Sequence, residues 1–545
     1  MPARRPPRIS RRRRDACSAP WTTRAPASCA RACCNDSTAE DRDVTEEVQD
    51  TRQRRIRRVV IAGGGTAGWM AAAGLARALG KVVDITLVES EEIGTIGVGE
   101  ATIPTLMTFH RLLQINEQEF MAATQATVKL GIQFENWRTP GHAYFHSFGT
   151  TGKDHWMANF VHFWLRGRRE GVAGPYDDYC VELLAALEGR FAHLPRNGIN
   201  YAYHLDAGLY ARYLRGFSEA LGARRVEGRI AAVETDDASG YITALAMADG
   251  SRIEGDLFID CTGFRAMLIG QALNVGFEDW SHWLPNDRAF AVPTASVGDA
   301  VPYTRSIAGA AGWQWRIPLQ HRVGNGIVYS SRHMDDEDAR QALLDGVDGE
   351  PLRDPLQIRF RPGKRLKCWH RNCVALGLAA GFVEPLESTT IHMIQRGIVR
   401  LLQTFPDVID PRHVAAYNTQ LDDELQHVRD FVILHYHVTD RRDTPYWRML
   451  ADMEVPASLR ERIALFRETG NVFHAPMELF AENSWIQVMM GQGITPRQYH
   501  PAAEVMSEAD LARFFDDIRR SVRTTVDSLP PHMDYIRQYC PAGPA

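Results

Sequence analysis

Apolar positions fall into short blocks separated by polar turns, and the first block begins only near residue 57. Val59-Val60-Ile61-Ala62 is short, apolar and β-branched, which predicts a buried strand. Ala71 to Leu79 predicts a helix of small residues, and Val82 to Val88 a second strand ending in Glu89. Further β-type runs cover Arg229–Thr235, Tyr241–Met247 and Arg252–Ile259, the last continuing through Asp260 and Cys261 into a Thr262-Gly263 turn. Residues 411–435, 457–468 and 508–526 read as helices. No apolar run reaches the ~18 residues of a membrane span. The first 55 or so residues fit neither period. MPARRPPRISRRRRDACSAP is Arg- and Pro-rich and is followed by an acidic, polar stretch. It lacks the apolar core of a secretory signal, and the expectation is a disordered extension.

Composition narrows the classes. Of 545 residues, 45% are hydrophobic and 24% charged, which excludes a wholly disordered or coiled-coil chain. The 62 basic and 67 acidic residues give a net charge of −5, without the basic excess of a nucleic-acid binder. Nine cysteines form no CxxC pair, so neither a zinc site nor a thioredoxin-like site is indicated, and no metal is expected. Scattered thiols fit a reducing compartment, hence a cytoplasmic location. Twelve Trp and sixteen Met supply side chains for an aromatic-lined pocket.

The first strand runs into Gly63, Gly65 and Gly68, a G-x-G-x-x-G turn that opens a helix, and Glu89 ends the next strand about 20 residues on. Glycines let backbone approach a pyrophosphate at the helix N-terminus, and an acid at that place can hold a ribose hydroxyl. Both NAD and FAD use this turn. No second strand–GxGxxG–helix follows, and β segments are interleaved before the return strand at Leu257, as in flavin monooxygenase-type folds. FAD is therefore expected. No site for a nicotinamide reductant is visible, so reduced flavin would come from elsewhere.

From about residue 57 to 535 the sequence resembles the flavin-dependent tryptophan halogenase family. The resemblance rests on GGGTAGWMAA at 63–72, IGVGEATIP at 96–104, TVKLGIQFENW at 127–137, GWQWRIP at 312–318 and GLAAGFVEPLESTTIHMIQ at 377–395, in that order. It implies reduced FAD, oxygen and a halide, chloride or bromide, as reactants. To the glycines and Glu89 it adds Thr66, Ala67, Gly99, Ala101 and Leu378 as cofactor-binding residues. Lys129 stands in an otherwise uncharged stretch, where a lysine ordinarily carries its ammonium to solvent. In the family the matching lysine takes up hypohalous acid and delivers electrophilic halogen, by hydrogen bond or as a haloamine. Glu387 matches a glutamate that polarises the electrophile or accepts the arene proton.

An amphipathic helix with Ile391, Ile394 and Ile398 on one side starts just after Glu387. Ser or Thr makes a good N-cap there, and free N–H groups at a helix start bind anions, so a halide site beside Thr389 and Thr390 is expected. Well-studied members of the family carry Gly where this chain has Thr390, whose side chain takes space near the expected halide. Trp313 and Trp315 alternate as on a strand. The resemblance makes them a wall between flavin and substrate. His146 and Phe148 match positions that stack on an indole.

The last substrate segment, FHAPMELFAENSWIQVMMGQG at 473–493, keeps Trp485. It shows no Tyr pair and no recognisable amine-binding glutamate, and Ser484 replaces Phe. A zwitterionic amino acid needs fixed polar partners, so a simpler indole or a larger aromatic is favoured over free tryptophan. The fold class expected is α/β: a Rossmann-type FAD-binding module like that of flavin monooxygenases, with a mostly helical substrate-binding module. The boundaries are 1–56 for the extension, 57–405 for the halogenase core with interleaved substrate segments, and 406–545 for the helical C-terminal region. The function expected is FADH2-dependent halogenation of an electron-rich, indole-type aromatic, with halide-independent aromatic hydroxylation as the alternative. Expected partners are a separate flavin reductase and a small aromatic substrate, with a homodimer allowed and neither nucleic acid nor membrane.

Overall fold

The computed structural model describes residues 55–92, 99–195 and 198–542. The expected extension therefore lies, up to residue 54, outside the described residues, as do residues 93–98, which include the first three of the IGVGE stretch. Val59 to Ala62 are fully buried within the strand Arg58–Ala62. That strand is central in a six-stranded sheet. It pairs in parallel with Leu257–Asp260 on one side and Asp84–Glu89 on the other. Arg224–Glu227 and Cys373–Ala375 extend the two flanks in parallel, and Trp369–His370 closes one edge antiparallel. Strands buried on both faces read as unbroken apolar runs, which is why the three central strands were visible in the sequence, whereas the partly exposed, charged Arg224–Glu227 was not.

The helix that follows the glycine turn spans Thr66–Leu79 and buries Gly68 to Ala76, a run of Gly and Ala with Trp69, Met70 and Leu75 among them. The three-stranded antiparallel unit Ile230–Thr235, Ile242–Met247, Arg252–Glu254 precedes the return strand. Between these segments a seven-stranded sheet is inserted, ordered Leu356–Arg359, Arg288–Thr294, Val323–Tyr329, Gly312–Pro318, Thr304–Ala308, Gly131–Glu135, Ala143–Ser147. A small sheet of Gly99–Ala101, Ala202–Asp206 and Thr127–Lys129 contacts it.

From Thr390 onward the described chain is helical. Pro411–His437, Ala457–Thr469 and Glu508–Asp527 fall within a few residues of the sequence expectation. Among the described residues no helix is long and apolar enough to cross a membrane, and no group of His, Cys, Asp or Glu could hold a metal ion.

Candidate active site

At Gly63 the backbone turns with φ of 109°, and a Cβ there would lie 2.3 Å from the Cys261 carbonyl oxygen. Only glycine fits. Gly65 occupies the N-cap of helix Thr66–Leu79, and no side chain caps that end. A Cβ on Gly65 would meet nothing within 4 Å. Uncapped N–H groups thus face open space, and the helix dipole favours an anion there. Glu89 is oriented by the Arg225 guanidinium and by Trp69 Nε1 at 3.2 Å.

Gly63, Gly65, Thr66, Ala67, Glu89, Gly99, Ala101 and Leu378 all line one cavity of about 860 Å³. Gly68 does not. A Cβ there would lie 1.8 Å from the Gly63 carbonyl oxygen, so its part is to let the helix close on the turn. An anion-ready helix end, a carboxylate one strand away and a cavity of this size fit FAD. Gly65→Ala checks the assignment, because the methyl enters open space rather than protein. The expected result is an unchanged melting temperature with FAD binding weakened about tenfold or more by calorimetry.

Lys129 ends the strand Thr127–Lys129 and is fully buried. It does not reach solvent. Its Nζ donates to the Thr102 carbonyl at 3.1 Å and lies 2.9 Å from Ser388 Oγ. The Phe148 ring, half-buried, is 5.2 Å from Nζ. Burial draws the ammonium's pKa down to about 7, against the opposing charge of Glu387. Amine and ammonium are therefore both available near neutrality.

Glu387 closes the short turn Pro385–Glu387 and is fully buried. His146 Nδ1 lies 2.9 and 3.1 Å from its two oxygens, and His435 Nε2 is 2.8 Å from Oε1. Burial alone would raise its pKa. The pull of His146, with the contacts of both imidazoles, overrides that and holds it at about 2. Ser388, next in the chain, adopts φ of 58°, an uncommon conformation for a residue with a Cβ. It lines the cavity and also accepts from Lys129, so it links the cavity to the buried amine.

Thr389 stands at the N-cap of helix Thr390–Gln403, but with helical dihedrals and no capping bond from its side chain. The expected Ser/Thr cap is thus absent, and the first-turn N–H groups keep no side-chain partner from it. Thr390 lines the large cavity, and both threonines line an adjoining void of about 30 Å³. Trp313 and Trp315 also line the cavity. Trp313 Nε1 donates to Glu384 at 3.1 Å, and its ring lies 6.3 Å from Trp137, which in turn is 6.2 Å from His435. Aromatic rings therefore stand between the cavity and the Glu387 cluster.

His146 packs 5.5 Å from Phe431 and 6.1 Å from Phe480, which stack on each other at 3.8 Å. Trp485 is not brought to this group. It lies edge-on behind Phe431 at 4.8 Å, under the Arg462 guanidinium, with Nε1 donating to Glu478. Its ring is buried. Glu478 is tied to Arg462 as well. Ser388, His435, Thr102, Phe431 and Phe480 escaped the sequence reading. Ser388 had a signal in its place between Glu387 and two threonines, while His435 sits in an apolar helix and had none.

Comparison with known proteins agrees with this geometry. The family model described as tryptophan halogenase matches residues 58–508. Tryptophan 7-halogenase RebH of Lentzea aerocolonigenes is 35% identical over 89% of this chain and 99% of its own length. Among solved structures, Xcc4156, a flavin-dependent halogenase from Xanthomonas campestris, is 64% identical, covering 90% of this chain and 100% of its own, with a TM-score of 0.89. BrvH, a flavin-dependent halogenase from Brevundimonas sp. BAL3, is 44% identical, covering 89% of this chain and 100% of its own, with a TM-score of 0.85. With its nucleotide cavity joined through Ser388 to a buried lysine beside an ionised glutamate, the chain belongs to the tryptophan halogenase family and is a flavin-dependent halogenase.

Proposed function

We propose that the protein halogenates an electron-rich, indole-type aromatic other than free tryptophan, with Lys129 delivering the halogen and Glu387 facing the ring under attack. When bound, reduced FAD with oxygen supplies the oxidation of halide to hypohalous acid. A separate flavin reductase would provide that reduced flavin. Residues 57–405 carry both chemistries, and 406–545 close the aromatic side. One observation carries the reading: Ser388 lines the nucleotide cavity and touches Lys129 Nζ, next to Glu387.

The halide is assigned to the open first turn at Thr389 and Thr390, beside a void of about 30 Å³. Lys129, with one N–H committed to the Thr102 carbonyl and one to Ser388 Oγ, keeps a third for the oxygen of hypohalous acid; as an amine it can instead take the halogen covalently, with release of water. Glu387 opposes the positive charge that develops on the ring. It also accepts the ring proton, because an arenium ion is a far stronger acid than a carboxylic acid. The aromatic ring is assigned to the neighbourhood of Phe148 and of His146, which packs against Phe431 and Phe480. The carboxylate nearest Trp485 is consumed by Arg462, which leaves an amino acid's ammonium without a partner.

The test combines protein, FAD, a flavin reductase, chloride or bromide, and either indole or free tryptophan. Halogenated indole is expected by mass spectrometry, formed at least about tenfold more efficiently than halogenated tryptophan. A hydroxylated product carrying oxygen from O2, formed without halide, would overturn the reading in favour of a monooxygenase.

A further inference from the structure

Glu387 is held by side chains that lie outside the reacting group. His435, on helix Pro411–His437, is fully buried. Its ring stacks on Phe134 at 4.5 Å and meets Phe431 edge-on at 5.3 Å, so it is fixed in a slot. Nδ1 lies 2.8 Å from the Tyr144 hydroxyl. Nε2 lies 2.8 Å from Glu387 Oε1, off the N–H axis and without any better-aligned partner. The ionisable groups facing this pair are Lys129 from strand Thr127–Lys129, and Tyr144 and His146 from strand Ala143–Ser147.

The protonation pattern follows by elimination. Glu387 is ionised, and a bare Nε2 at 2.8 Å would set a lone pair against a carboxylate. Nε2 therefore carries the proton. Burial disfavours a second proton on the ring, although Glu387 opposes that trend. Nδ1 is then an acceptor. Burial, helped by the Glu387 charge, keeps the Tyr144 phenol protonated; Gln492 also reaches this hydroxyl, and with Nδ1 an acceptor it is the phenol O–H that donates to Nδ1. We propose that Tyr144, by donating to Nδ1, fixes the Nε2–H tautomer of His435 and so positions the charged Glu387 carboxylate. Without this donor the ring is free to adopt the Nδ1–H tautomer, which turns a lone pair on Glu387. Tyr144 and His435 act through Glu387 and need not touch the aromatic substrate.

The importance of this pair to turnover rests on the halogenase reading above, but the tautomer does not. The test uses the full FAD-loaded chain and Tyr144→Phe. Its KM for indole is expected to stay put while kcat falls about tenfold, the usual scale for outer partners of a reacting group. The acid limb of kcat should move up by about one pH unit as Glu387 loses support. Nitrogen-15 spectra of histidine-labelled protein, assigned by difference with His435→Gln, should show His435 as Nε2–H in the wild type and shifted towards Nδ1–H in Tyr144→Phe. His435→Gln retains a side-chain N–H donor and has no tautomer to choose, so adding Tyr144→Phe to it should change the pH profile little. An Nδ1–H signature in the unsubstituted protein overturns the inference even if no variant folds. So does a Tyr144→Phe protein with unchanged spectra and pH profile. Failure of the unsubstituted protein to halogenate any aromatic would instead remove the functional reading and leave the spectra to decide this one.

Discussion

Lys129→Met is expected to lower halogenation by about a thousandfold or more, leave FAD binding intact and make the protein more stable. The loss of rate follows from the loss of the group proposed to carry the electrophile; positioned acid, base and donor groups are commonly worth about 10²–10⁴. The gain in stability follows from burial. The folded chain lowers the ammonium's pKa from 10.5 to about 7, so folding disfavours its charged form. Below pH 7 both folded and unfolded chains hold the proton, and the whole penalty is present. Between about 7 and 10.5 the unfolded chain binds more protons than the folded one, so the penalty fades as pH rises. By pH 10.5 it is mostly gone. Methionine removes the charge at similar length, at the cost of the contacts with Thr102 and Ser388. The melting temperature should therefore rise most at pH 6 and show little change near pH 10. A variant that halogenates at the original rate would take Lys129 out of the chemistry. A destabilised one at pH 6 would mean that its contacts outweigh its burial. Stability given up at a reacting residue is a common exchange in enzymes.

The nucleotide half of this site was legible because its signals are local. A β-branched run, a glycine turn and an acid at the end of the next strand are all written within some thirty residues, and the cavity gathers Gly63, Gly65 and Glu89. The long helices were legible for the same reason. The seven-stranded sheet was not. It pairs Thr304–Ala308 with Gly131–Glu135, some 170 residues away, and only the alternation of Trp313 and Trp315 hinted at it. Long-range pairing of this kind leaves no periodic trace beyond each strand. Lys129 was marked by its uncharged surroundings, but its complete burial depends on Thr102 and on Ser388, 259 positions away. Thr389 misled in one respect, since helical dihedrals replaced the cap its residue type favours. Trp485 kept its place in the motif, and the structure packs it against Phe431 and under Arg462. His435 lies in FVILHYH, which reads as core. Only the docking of that helix against the Glu387 turn sets an imidazole on a carboxylate.

Glu387→Gln should also cost about 10²–10⁴ in rate, but with the opposite effect on stability. The fold lowers this carboxyl's pKa from 4.5 to about 2, so its ionised form is favoured by folding. That contribution is fully present above pH 4.5 and is lost as pH falls through about 2. Glutamine keeps the shape but removes the charge. It can accept from only one imidazole through its carbonyl, and its NH2 must then face the other. Leaving a buried donor opposed in this way costs a few kcal/mol, about 3–5 when a buried pair is broken. The melting temperature should fall at pH 7, and the gap from the unsubstituted protein should narrow below pH 4.5. Removing Glu387 also removes the charge that opposes the depression of Lys129, so more of that lysine is amine at neutral pH. The two variants thereby separate the two ways of carrying halogen. If the haloamine carries it, Glu387→Gln should still accumulate a thiol-reducible, lysine-bound halogen in the absence of aromatic. If a hydrogen bond from the ammonium carries it, no such adduct forms and free hypohalous acid escapes. Turnover by Glu387→Gln at the unsubstituted rate would show that neither charge nor base is needed at this position.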